Sequence, residues 1–238
     1  MNRHSQAFSL VELSIVLVIL GLLTGGVLAG QSLIRAAELR SVTTQFQNYY
    51  TAVATFKDKY FAIPGDMSNA TDFWLEAHAT PATCKTTDSG GAATCNGDGD
   101  GQVDSPTGSD ETFRFWQHLA NAGLIEGSFT GVAESGGANH TTGGVNAPAG
   151  KLGSTAWRAT HRTPVAGQFN RDYGNTLYVG KHVSNTAPYG VVLTPEEMWG
   201  IDTKVDEACL LEGVLAHYLR ARNAQMRQMK MISMRPIT

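Results

Sequence analysis

Charge is scarce in this chain. Lys, Arg, Asp and Glu make up 16% of its 238 residues, and the net charge is −3. That balance is too weak to imply a nucleic-acid partner. Cysteine is scarcer still, with three residues that permit one disulfide and one leftover thiol. No P-loop, G-x-S-x-G, H-E-x-x-H or Cys/His cluster occurs, and the seven histidines are scattered. The run Gly97-x-Gly99-x-Gly101 lacks the strand-to-helix context of a nucleotide loop, and its alternating aspartates would repel phosphate. These absences argue against an enzyme.

What the chain does have is one long apolar run, Phe8 to Ala29, whose single charge is Glu12 near its start. As a helix rising ~1.5 Å per residue it spans the ~30 Å hydrocarbon core of a bilayer. A polar leader with Arg3 and His4 precedes it. An ordinary signal peptide cut after Val27-Leu28-Ala29 is one alternative, which would release a secreted calcium-dependent binding module. A membrane-anchored enzyme is a more remote one. The run exceeds the usual length of a signal-peptide core, and a carboxylate in a plain anchor is costly without a function.

Ala7, Phe8, Ser9-Leu10-Val11 and Glu12, followed by an apolar helix, resemble the N-terminus of type IV pilins and type II secretion pseudopilins. Ala7 stands where that family usually has Gly. The segment Phe56 to Trp74 resembles part of a bacterial subset of prepilin-type proteins, as does LTPEE with the following IDTK. The resemblance implies cutting by prepilin peptidase between Ala7 and Phe8, methylation of the new Phe8 amine, and assembly with copies of itself or other pilins. Glu12 would then serve assembly. It also implies a single-pass precursor in the bacterial inner membrane, with its head in the periplasm.

The chain divides into a leader (1–7), a long helix (8–60, membrane-spanning over about 8–29), a head (61–208) and a tail (209–238). Leu39, Val42, Phe46, Tyr49, Val53, Phe56 and Tyr60 are spaced alternately three and four apart, the stripe of an amphipathic helix. Ile63-Pro64-Gly65-Asp66 ends that helix. Ser68–Glu76 reads as a short helix, and a further helix begins near Ser109 with His118 as a structural residue. Strand-like pieces at Thr155–Thr160, Thr176–Val183 and Tyr189–Leu193 predict a small antiparallel sheet. Thr194-Pro195-Glu196-Glu197 starts a last helix that runs to about Ala208. The fold class is therefore α+β: a long N-terminal helix packed on a head with a small sheet. The tail is rich in Met and basic residues, with one acid, Glu212.

Cys84 and Cys95 enclose ten residues and are read as paired, leaving Cys209 free. Directly after them, Asn96, Asp98, Asp100, Gln102 and Asp104 alternate with glycines and Val103. Oxygen side chains at alternate positions resemble the first half of an EF-hand-type calcium loop. The pattern departs at the twelfth position, which is Thr107, and Asp110 or Glu111 of the next helix could replace the missing carboxylate. Oxygen ligands without histidine favour structural calcium over zinc.

Overall fold

The computed structural model describes residues 10–88, 92–104, 111–163, 172–209 and 234–236. The cleavage pair Ala7/Phe8, the start of the third helix at Ser109 with Thr107 and Asp110, and the tail from 210 to 233 lie outside the described residues. Helix α1 runs Leu10–Tyr60. Residues 1–40 and 41–238 form two compact units.

In the first unit, α1 exposes its apolar side chains throughout: Leu10, Val18, Leu22 and Leu28 are each more than half exposed. This stretch is long and apolar enough to cross a membrane. Arg35 and Glu38 form an ion pair one turn apart at 3.1 Å.

In the second unit the same helix changes character. Val42, Phe46, Val53 and Phe56 of the stripe are buried, each contributing on the order of 1.5–3 kcal/mol. Tyr49 sits edge-on to Trp116 at 5.2 Å and to Trp157 at 5.3 Å, which wedges the helix between the two elements that carry those indoles. Gln45 adds the polar fastening: its Oε1 accepts from Trp157 Nε1 and the Lys151 amide, and its Nε2 donates to Ala149 O. The helix ends where Phe61 takes the left-handed conformation (φ 54°) with its N–H still donating to Lys57 O.

Helix α2 is a single turn, Pro81–Cys84, and α3 runs Glu111–Asn121 with Phe113, Phe115, Trp116 and Leu119 fully buried. Strands β1 (Thr155–Arg162) and β2 (Gly174–Lys181) pair antiparallel in register from Thr155/Lys181 to Arg162/Gly174. A short β3, Met234–Pro236, adds to the far edge of β2. Helix α4, Pro195–Cys209, opens with a capping box. Glu197 Oε2 accepts from the Thr194 N–H, and Thr194 Oγ1 from the Glu197 N–H.

The expected α+β architecture is therefore present, with two local differences. Ser68–Glu76 forms only a 3₁₀ turn, Ala70–Asp72, because Leu75 O and the Ala77 N–H are taken by hydrogen bonds to Thr94. Tyr189–Leu193 forms no strand. Its pairing stops at one bridge between Gly190 and Lys181, since Pro188 offers no N–H and the chain beyond turns into the Thr194 cap.

Candidate functional site

The Cys84–Cys95 bond, with Cα atoms 5.9 Å apart, closes a small ring over α3. Helix α3 holds that ring with side chains spaced along it. Arg114 donates to Cys84 O and Thr87 O, Gln117 to Ala93 O, and Asn121 to Ala92 O. The ring thus delivers Asn96 and the acidic residues after it to a defined place on the head.

There the chain meets Asp66, from the turn that ends α1. A Cβ on Gly97 would overlap the Asp66 backbone, so only glycine allows this approach, and the Gly97 N–H donates to Met67 O. The buried Asp66 carboxylate accepts from the N–H groups of Gly99 at 2.8 Å and Gly101 at 3.0 Å. Both glycines have positive φ, 78° and 89°. Glu111, at the start of α3, is also buried. Its Oε1 accepts from the Asp98 N–H and its Oε2 from the Asp104 N–H, each at 3.0 Å. Two buried carboxylates therefore hold four backbone amides of the loop from inside.

Asp66, Asp98 and Asp100 each bring a carboxylate oxygen within 4.8 Å of the other two. The remaining expected ligands are placed differently. Asn96 Oδ1 accepts from the Thr71 N–H and so fastens the 3₁₀ turn. Gln102 donates through its backbone N–H and its Nε2 to Asp100. Asp104 O accepts from the amide and hydroxyl of Thr112. Asn175 of β2 completes the frame: its Oδ1 accepts from the Val103 N–H and its Nδ2 donates to Gly101 O.

Sequence reasoning missed Asp66, which sits in a segment legible only as a helix terminator. No spacing rule links it to Asp98, and its arrival depends on the packing at Gly97. Asn175 carried no signal either.

The cluster holds more negative charge than its solvation supports. The Asp66 carboxyl is pushed up to about 6, mainly by burial and in part by the charges of Asp100 and Asp98, against the amides of Gly101 and Gly99. Glu111 is pushed up to about 7, mainly by burial, with Asp66 and Asp98 adding to it. Asp104 is raised for the same reasons, burial first and then the neighbouring aspartates. Chemically, the arrangement offers hard oxygen donors to a divalent cation.

The family profile for the prokaryotic N-terminal methylation motif matches residues 2–28. That motif is the prepilin signature of type IV pilins and pseudopilins, and this chain carries it. It spans the Ala7/Phe8 pair, Glu12 and most of the exposed apolar part of α1. No curated protein and no solved structure matches the chain.

Proposed function

We propose that this chain is a structural subunit, major or minor, of a type IV pilus or a type II secretion pseudopilus. The observation that carries the reading is the methylation motif at residues 2–28 running directly into a helix whose apolar surface is bare. Prepilin peptidase cuts between Ala7 and Phe8, the Phe8 amine is methylated, and the trimmed chain leaves the inner membrane for a filament. A helical filament needs heterologous contacts that do not close, and bare apolar helices bundled at its centre supply the buried surface. The head stays on the periplasmic side during assembly. The motif points to a structural role and away from catalysis.

The acidic loop is the head's structural calcium site in this reading. Asp98 and Asp100 supply oxygens, as their spacing suggests, and Asp66 joins them. Glu111 braces the loop through its backbone amides. A bound calcium ion would offset the mutual repulsion of these carboxylates and stiffen the surface between the disulfide and α3.

Mass spectrometry of the mature N-terminus tests the main claim. The expected result is a chain beginning with N-methyl-Phe8. A mature chain beginning at Gly30 would mark a signal-peptidase product and end the filament reading.

A further inference from the structure

We propose that His140 and His182 form a binding site for a zinc ion, on a part of the head separate from the acidic loop. The two imidazoles come from different segments: His140 from the glycine-rich stretch before β1, His182 from the residue after β2. Their ring centroids lie 5.3 Å apart at an interplanar angle of 38°. With Zn–N of ~2.0–2.1 Å and ~1.1 Å from ring centre to nitrogen, two imidazoles at a tetrahedral angle have centroids about 5.2 Å apart. The observed separation allows that geometry, and the ring nitrogens decide it.

The protonation pattern also fits. His140 Nδ1 lies 2.7 Å from Ser135 O, and His182 Nδ1 lies 3.0 Å from Thr141 O. A carbonyl oxygen only accepts, so each Nδ1 carries a proton, and in the neutral ring that leaves Nε2 with the lone pair. This is the arrangement of a metal-bound histidine, whose other ring N–H donates to a backbone carbonyl and fixes the tautomer. His140 Nε2 is buried and has no hydrogen-bond partner. A buried polar nitrogen without a partner is destabilising, and a coordinated ion would supply that partner.

The surroundings hold the two backbone segments in place. Asn146 Nδ2 donates to His140 O and to Val132 O, and its Oδ1 accepts from the Thr142 N–H. The His182 N–H donates to Ser154 O. Cβ atoms on Gly136 and Gly137 would collide with Asn185, so glycine at these positions lets the two loops close on each other. Borderline nitrogen donors select zinc over calcium, which takes oxygen, so this site and the acidic loop discriminate between the two ions. Water fills the remaining coordination positions.

The test uses the full chain in detergent, dialysed against zinc chloride with calcium in excess to occupy oxygen sites. Bound zinc is then counted by elemental analysis. The wild type is expected to hold a single zinc ion per chain. His182→Gln, at a half-buried position, should lower zinc affinity by at least the roughly 10–100-fold that loss of a supporting partner costs. His78→Gln, an exposed control, should leave affinity unchanged. X-ray absorption on the zinc-loaded wild type, which needs no variant, should show two imidazoles in the first shell. No bound zinc in the wild type, retention by His182→Gln, or a first shell of oxygen alone would each overturn the proposal.

Discussion

The Gly65 N–H donates to Nδ1 of the fully buried His118 at 3.0 Å, tying the turn after α1 to the middle of α3. On the other side of the ring, Thr94 Oγ1 donates to Gln117 Oε1, so His118 Nε2–H must donate to Thr94. The imidazole is therefore neutral, with one nitrogen accepting and the other donating. Phe56 and Trp74 stack against it. Burial, aided by the charge of Arg114, pushes its pKa down to about 3.

That geometry sets a pH dependence. The unfolded chain takes up a proton on His118 below about 6.5, whereas the folded chain resists until about 3. The stability due to the neutral ring is therefore complete above pH ~6.5 and is lost as the pH falls through the range below it. Asp66 and Glu111, raised to about 6 and about 7, act in the opposite sense. Because the wild type and His118→Gln share those acids, the difference between their pH profiles isolates the histidine. Chemical denaturation of both in chelator should show the wild type losing about 2–3 kcal/mol more between pH 6.5 and 4.5. Parallel profiles would mean that the ring titrates normally.

Calcium should raise the melting temperature of the head. An ion that binds only the folded state adds about 2.7 kcal/mol at a hundredfold excess over Kd. Asp98→Asn should abolish that shift while leaving the melting temperature in chelator unchanged or higher, since it removes a charge that repels Asp66 and Glu111. A calcium shift that persists in Asp98→Asn would remove this residue from the site.

Gly97→Ala should destabilise the head by about 1–3 kcal/mol, because the new Cβ meets backbone and not a movable side chain. Pushing Asp66 away from Asp98 and Asp100 should also weaken calcium binding. Urea melts and calcium titration on the same protein check both parts. An alanine variant with unaltered calcium affinity would show that Asp66 is not needed.

Glu12 occupies the first turn of α1 in the bare apolar unit. In a filament, the Phe8 amine of an arriving subunit would meet Glu12 of its neighbour in a medium where charges attract far more strongly than in water. Misregister would leave two buried charges unpaired. Glu12→Val should insert into the membrane normally, since the span loses its one charge, yet fail to enter filaments. Fractionation followed by filament purification separates the two steps, and normal filaments would show that Glu12 is dispensable.

Local rules make part of this protein legible in its sequence. The motif from Ala7 to Glu12 is a contiguous word, and composition alone shows that its continuation is a helix long and apolar enough to cross a membrane. The stripe from Val42 to Phe56 repeats with the period of the helix that buries it, and the Thr194/Glu197 box caps α4 across three residues. Each of these depends on neighbours within a turn or two of chain. Tertiary structure alone decided the rest. Asp66 joins Asp98 and Asp100 because Gly97 lets two backbones touch, and His118, one position off the apolar face of α3, is buried because the Gly65 turn closes over it. His140 and His182 meet through loops that carry no periodicity. Such encounters depend on how finished elements pack, and packing is a property of the whole chain that no short stretch encodes.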